Sequence, residues 1–237
     1  MMKKVLLLMA VLALASCQFG NKGYDPKDAL SFGLVGDVKE VYVTRSIVST
    51  DSENDAVEEG MDEERLEMTF TEKGCITLDT YGNPYVYDEE GKFVKGFTEN
   101  TVLVRDNKGR LETYDNMTED YDGDFDVETY FTYTFSYDDQ DRVILEELGG
   151  WEWGETYYLV YSGKKTYPVS ATFTGYNENW NEEGTIEYEY ISFDDRGNWT
   201  ERKQIIDYVG YEEDCEDEAE NHTTVYLQKR RIIYWDL

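Results

Sequence analysis

Trp151, Trp153 and Trp180 stand among glycines, glutamates and asparagines in the stretches GGWEWGE (149–155) and GYNENWNEEG (175–184). Indole faces in such a setting could stack on a sugar ring while neighbouring Glu and Asn side chains hold its hydroxyls. The competing reading is that the indoles fold back over a sheet and close it. A second constellation is EDYDGDFD (119–126), where Asp120, Asp122, Asp124 and Asp126 recur two apart and could gather oxygen ligands for Ca²⁺. It does not match an EF-hand loop, because the glycine is fourth rather than sixth and no glutamate stands twelfth. A solvated acidic turn accounts for the same run.

Other chemistries drop out. His222 is the only histidine, it lies beside the acidic run EEDCEDEAEN in a segment that reads as loop, and nothing resembles a nucleophile elbow, which leaves a Ser–His–Asp or Cys–His site without parts. No glycine-rich phosphate loop follows a strand and opens a helix, and Cys75 and Cys215 lack metal-ligand spacing with His222. A glycosidase-type carboxylate pair stays open, because two acids at the right separation leave no sequence signature. Lys229, Arg230 and Arg231 form the one basic cluster and read as a counterweight to neighbouring acidic strands.

Charge narrows the partners. The chain carries 52 acidic against 22 basic residues, a formal net charge of -30. Such a surface repels nucleic-acid phosphates and favours cations or basic protein surfaces. Disorder does not follow, because aromatic residues make up 15% of the chain and acidic disordered segments are poor in them. Residues 50–65, TDSENDAVEEGMDEER, are the exception and read as an exposed or partly disordered loop.

The N-terminus, MMKKVLLLMAVLALASC, has a cationic flank, an apolar run from Val5 to Leu14 and small residues before Cys17. The run is too short for a stable membrane anchor and fits an export signal over residues 1–16. Leu14-Ala15-Ser16-Cys17 resembles the lipobox of bacterial lipoproteins, which implies a fatty-acylated Cys17 as the mature N-terminus. Losing residues 1–16 removes Lys3 and Lys4 and no acids, so the charge goes from -30 to -32. Residues 17–30 then form a polar tether and residues 31–237 the folded domain. The implied location is the cell envelope, lipid-anchored at the outer membrane and facing the periplasm or the outside. An oxidising compartment of that kind would permit a Cys75–Cys215 disulfide, and the spacing alone does not bring the two together.

The domain carries a repeat. FTEKGCI begins at Phe70, YDEEGKF at Tyr87, YDDQDRV at Tyr137 and FDDRGNW at Phe193, and VRDNKGRL from Val104 reads as the same pattern with one residue inserted. The acids and Asn start a tight turn, and Gly supplies the positive φ that closes it. YGNP at 81–84 and TEN at 98–100 add turn signals of their own. In TYFTYTFSY (129–137), Phe131, Tyr133, Phe135 and Tyr137 fall on one face, and further strands are expected in 33–48, 155–161, 185–193 and 223–235. No window has helical periodicity with caps. The expected fold is all-β, an antiparallel meander of short hairpin repeats forming an extended, curled sheet.

The turn pattern resembles the YD or RHS-like β-repeat, here at Tyr87-Asp88, Tyr137-Asp138 and Phe193-Asp194, and segments similar to GLVGDVKEVYV (33–43) and DDRGNWTERK (194–203) bracket such repeats in small lipoproteins. The resemblance implies a curled sheet on a lipid anchor and little about activity. The expected function is therefore a non-enzymatic binding or scaffold module of the envelope, contacting an envelope protein or glycan. The alternative is a carbohydrate-binding lipoprotein, Ca²⁺-dependent or not, or a glycan-processing one using a carboxylate pair.

Overall fold

The computed structural model describes residues 26–51, 63–98, 101–115, 131–150, 152–178, 180–212 and 220–235. Apart from one four-residue helix, α1 (Asp28–Ser31), every regular element is a strand. These are β1 (Val38–Thr50), β2 (Arg65–Phe70), β3 (Ile76–Leu78), β4 (Val86–Tyr87), β5 (Phe93–Lys95), β6 (Val102–Arg105), β7 (Leu111–Asp115), β8 (Phe131–Tyr137), β9 (Val143–Gly150), β10 (Trp153–Val160), β11 (Ser170–Asn177), β12 (Trp180–Phe193), β13 (Trp199–Glu212) and β14 (Glu220–Tyr234). Twelve form one antiparallel sheet in the order β3-β2-β1-β14-β13-β12-β11-β10-β9-β8-β7-β6, and β4 and β5 pair separately. The all-β meander expected from the sequence is what the chain adopts. The first and last long strands, β1 and β14, lie side by side over Val38↔Tyr234 to Thr50↔Thr224, so the sheet's free edges are β3 and β6.

The repeats are hairpin turns of one kind. In each, the first residue's N–H donates to the carbonyl of the fifth, and the fourth residue donates back, as in Asp106 N to Arg110 O (2.9 Å) and Gly109 N to Asp106 O (3.1 Å). The same pair of bonds closes 71–75, 88–92, 138–142 and 194–198. The fourth position has φ of 82° at Gly74, 83° at Gly91 and Gly109, 88° at Gly197 and 63° at Asp141, the left-handed conformation that favours glycine and that aspartate tolerates. The opening carboxylate supports the loop from inside. Asp138 Oδ1 accepts from the backbone N–H of Gln140 (2.9 Å) and Arg142 (3.0 Å), and Asp88, Asp106 and Asp194 repeat the arrangement two and four residues on. Each turn also sets a register shift, and the residues flanking it pair across it: Phe70↔Ile76, Tyr87↔Phe93, Arg105↔Leu111, Tyr137↔Val143 and Phe193↔Trp199.

Two details differ from the sequence reading. The unit near 104 has no inserted residue, since its pairing Arg105↔Leu111 aligns RDNKGRL with YDEEGKF, and an arginine occupies the aromatic position. The segment DTYGN (79–83) is a further copy of the same turn, with Asp79 Oδ1 accepting from Tyr81 N (3.0 Å) and Asn83 N (2.9 Å) and Gly82 at φ 81°. In a meander, alternate connections share an end of the sheet. The five repeat turns therefore make one rim, and the Asp79 turn lies on the other.

Residues 26–30, expected at the end of a tether, belong to the folded body. Asp28 and Ser31 are buried, and Lys27 N donates to Gly109 O (2.9 Å). Asp28 accepts from Ile76 N of β3 (2.8 Å) and takes a two-pronged ion pair from Arg105 of β6 (2.6 and 2.5 Å). The two ends of the sheet are thus tied through one carboxylate. Around this tie Ala29, Leu34, Val38, Val41, Met68, Phe70, Ile76, Leu111, Tyr114, Phe131, Phe135, Val143 and Leu148 form the main core, drawn from β1–β3 and β7–β9. The sheet is curled but not closed. Val35 and the end of β14 are held by the last repeat turn, where Asn198 accepts from Val35 N (2.8 Å) and donates to Val35 O (2.8 Å) and the Tyr234 hydroxyl (2.7 Å).

Asp194 is the turn acid that also holds the last strand, because Tyr234 of β14 donates its hydroxyl to it. Asp194→Ala should cost about 2–4 kcal/mol in urea unfolding, whereas Asp88→Ala, in an exposed turn, should cost about 1 kcal/mol or less. Equal costs at the two sites would show that the shared turn geometry, rather than its extra links, sets the stability.

Candidate functional site

The core fills only one side of the curl. Facing it, the inner surface of β10–β14 and β1 is left largely uncovered, with only a small apolar cluster of Ala171, Phe173 and Ile186. The result is a cavity of about 560 Å³ running along the inside of the sheet. Strand alternation decides what lines it. β10 turns Glu155, Tyr157 and Leu159 inward, β12 Glu182, Ile186 and Tyr188, β13 Arg202, Gln204, Ile206 and Tyr208, and β14 His222, Thr224, Tyr226, Gln228 and Arg230. Tyrosines and charged groups therefore line a space where a closed barrel of this kind would place aliphatic side chains.

Towards the rim opposite the repeat turns, the space widens into a mouth of about 650 Å³ lined by Trp153, Trp180, Tyr81, Asn83, Glu155 and Glu182. Trp153 and Trp180 are strand residues, not loop residues: each is the first residue of its strand. Their rings lie flat where a side chain is missing, Trp153 over Gly150 and Trp180 over Gly210, positions at which a Cβ would collide with the indole. Trp180 Nε1 donates to the Tyr208 hydroxyl (2.7 Å), whereas Trp153 Nε1 is buried without a partner. The indoles fold back on the sheet, and the sheet face they fold onto is the wall of the mouth. Trp151 lies outside the described residues.

Two carboxylates share the mouth. Glu155, Gly175 and Glu182 are in register across β10, β11 and β12. Gly175 has no side chain, and Glu182 folds across that gap. Burial, and next the charge of Glu155, push the Glu182 carboxyl up from its ordinary value. Tyr157 donates its hydroxyl to Glu155 (2.9 Å).

Deeper in, cations rest on aromatic rings. The Arg230 guanidinium lies 3.6 Å and that of Arg202 4.1 Å from the centre of the Trp199 ring, and Arg45 stacks at 3.6 Å on Tyr226. The basic cluster 229–231 is split by strand alternation: Lys229 and Arg231 meet Glu201 and Glu64 on the outer face, as a counterweight should, while Arg230 points into the lumen. Arg202 donates to Gln228 Oε1 (2.7 Å), and Tyr133 donates its hydroxyl to Glu146 (2.8 Å), a lumenal carboxyl that burial pushes up.

The other sequence candidates fall elsewhere. Asp120, Asp122, Asp124 and Asp126, Cys17 and Cys215 lie outside the described residues. No group of three or more His, Cys, Asp or Glu side chains placed to hold a metal ion occurs among the described residues. Cys75 is buried against β5's turn, its Sγ 3.9 Å from Gly91 O. His222 sits within β14 rather than in a loop, its ring 4.5 Å from that of Tyr208. Sequence reasoning missed the lumenal arginines and Glu182. A strand-interior glycine was the available signal for Glu182, because Gly175 marks a close approach. No protein-family model matches the chain, and no curated protein matches it in sequence.

The raised carboxyl of Glu146 carries a pH prediction. A carboxyl whose folded pKa exceeds its unfolded value of about 4.3 binds its proton more tightly when folded, so ionisation opposes folding at higher pH. That cost is absent below the unfolded pKa and complete above the folded one. Glu146→Gln should therefore stabilise the protein at pH 7, by on the order of 1 kcal/mol, with the gap closing as pH falls towards 4. A variant less stable than the wild type at pH 7 would contradict this and mark Glu146 as an anion held by Arg202.

Proposed function

We propose that this chain is a lipid-anchored protein of the cell envelope that binds a small ligand inside its curled sheet without transforming it, and that the ligand is a saccharide. The observation that carries the reading is the lumen itself. A chain able to bury Phe131, Tyr114 and Ile76 completely on one side of the curl leaves the other side hollow and lined with tyrosines, indoles and charged groups. Concave sites of several hundred Å³, mostly apolar with a few convergent polar groups, are where small molecules are held. The mouth supplies what a sugar needs: flat indole faces at Trp153 and Trp180, and hydrogen-bonding groups at Asn83, Asn177, Glu155 and Glu182.

The expected export signal and acylated Cys17 support the envelope location, and the tether is short. Residues 17–25 separate the acylated cysteine from Pro26, whose carbonyl packs against the Gly74 turn. The membrane would then lie near the repeat-turn rim, with the mouth directed away from it.

Calorimetry of the mature protein against a panel of neutral and acidic oligosaccharides should find at least one binder with no product formed. Trp180→Ala should weaken that binding about tenfold or more. Cleavage products that disappear in Glu155→Gln or Glu182→Gln would replace this reading with a glycosidase. Absence of any binder would remove the saccharide.

A further inference from the structure

The lumen contains a cationic floor that nothing else in the molecule uses. Arg202, Gln228 and Arg45 are in register across β13, β14 and β1, and Arg230 is two residues along β14 from Gln228 on the same face. Arg230 is 8% exposed, and its Nε donates to Trp199 O (3.1 Å), but its Nη2 has no hydrogen-bond partner. Neither Arg202 nor Arg230 has a carboxylate within ion-pairing distance among the described residues, in a chain with 52 acids. Arg65, Arg105, Arg110, Arg142 and Arg231, by contrast, each pair with a carboxylate.

Two guanidiniums lie over one Trp199 ring. Attraction to the shared ring partly offsets their repulsion. It does not satisfy a buried N–H, and an unpaired buried cation is costly enough that proteins normally pair it. Burial, and next the charge of Arg202, lower Arg230 to a pKa of about 9, so it stays cationic at neutral pH. The acids that face this floor are Glu146, towards Arg202, Glu67, towards Arg45 and Arg230, and Asp194, whose charge also acts on Arg230. Burial pushes the Glu146 and Glu67 carboxyls up, and the Asp194 carboxylate is held by its own turn and by the Tyr234 hydroxyl. Outside, the acidic surface repels anions in general, but at ~0.1 M salt that field is screened over about 10 Å, so a recessed cationic pocket keeps its own attraction.

We infer that this floor binds an acidic group of the ligand, with Arg230 and Arg202 as its donors, Gln228 orienting Arg202, and Trp199 as the ring against which both rest. The ligand class becomes an anionic saccharide, one bearing a carboxylate, sulfate or phosphate, with its ring at the Trp153–Trp180 mouth and its charge towards the floor. Planar, two-pronged donation is the reason arginine rather than lysine occupies such positions. This inference rests on the lumen being a binding site, and its test separates the two claims.

The mature protein is titrated with sodium glucuronate, with glucose, with sodium sulfate and with inorganic phosphate, all at ionic strength matched by NaCl. Tryptophan fluorescence and melting temperature are followed. Wild type should respond to at least one of the anions in both readouts, and should respond to it more strongly than to glucose. Comparison of the three anions tells a carboxylate site from a sulfate or phosphate site. Arg230→Leu should melt a few degrees higher than wild type without anion, because an unpaired buried charge is gone, and should lose the response, with affinity falling at least about tenfold. Arg230→Lys should keep the charge and part of the response. An identical anion response in wild type and Arg230→Leu overturns the inference, because sulfate stabilises proteins generally. So does an Arg230→Leu that melts lower than wild type, which would make the residue structural, or an Arg230→Lys with an undiminished response, which would leave no role for the two-pronged fork. If the anion response fails while Trp180-dependent saccharide binding persists, the lumen reading stands and only the acidic group falls. The opposite pattern removes the saccharide and keeps the anion site.

Discussion

One carboxylate, that of Asp28, holds the two free ends of the sheet near each other. It takes the Ile76 N–H from β3 and the Arg105 guanidinium from β6, strands at opposite ends of the twelve-strand order. A twisted meander has no reason of its own to stop at this curvature, and its edges are not hydrogen-bonded to one another. The tie supplies the missing constraint. Both partners are almost wholly buried, so neither can simply return to water if the other is lost. The β4–β5 hairpin sits in the same seam, stapled to β3 by Tyr85 N to Thr77 O (3.0 Å) and to β6 by the Tyr87 hydroxyl, which accepts from Arg105 (3.2 Å).

The hollow side of the molecule follows from this. Residues 26–34 enter the curl beside the seam and bring Ala29 and Leu34 into contact with the apolar faces of β1–β3 and β7–β9, where the core forms. On the inner face of β10–β14 the apolar packing is thinner, limited to Ala171, Phe173 and Ile186 and to Trp153, Leu159, Ile232 and Tyr234 at the margin of the main core. The last three of those strands are long, 14 residues in β12 and β13 and 15 in β14, and the inward positions of β10–β14 carry tyrosine, arginine, glutamine and glutamate. A fold tightened at one side and left open at the other yields a lumen with a rigid wall. The repeat-turn rim adds to that rigidity, since Arg110 reaches from its own turn to Asp141 of the next (2.8 Å) and Arg142 to the carbonyl of Gly163 (2.7 Å). Part of the acidity of the chain is explained here, because each turn aspartate is an acceptor for backbone donors that would otherwise be unpaired.

What the sequence made legible was local. The turn pattern and the alternation of Phe131, Tyr133, Phe135 and Tyr137 act within a few residues, so the hairpins, the meander and most strands could be read from them. The clasp could not be read, because Asp28 and Arg105 are 77 residues apart and Arg105 breaks the aromatic pattern. It was that break which made 104–111 look like an insertion. The same limit applies to the site. Trp153 and Trp180 were visible as unusual residues, but their meeting at one mouth depends on β11 lying between their strands. Arg230 was hidden inside a basic triplet whose neighbours are ordinary surface charges, and only the period of two along β14 separates its role from theirs.

The most direct test of the account is a double-mutant cycle on the clasp, read by urea unfolding of wild type, Asp28→Ala, Arg105→Ala and the double variant. Either single change should cost about 3–5 kcal/mol, because it strands a buried charge, and the double change should cost at least about 2 kcal/mol less than the two combined. Strictly additive losses, or an Asp28→Ala protein within about 1 kcal/mol of wild type, would show that the curl and the lumen inside it are held by something else.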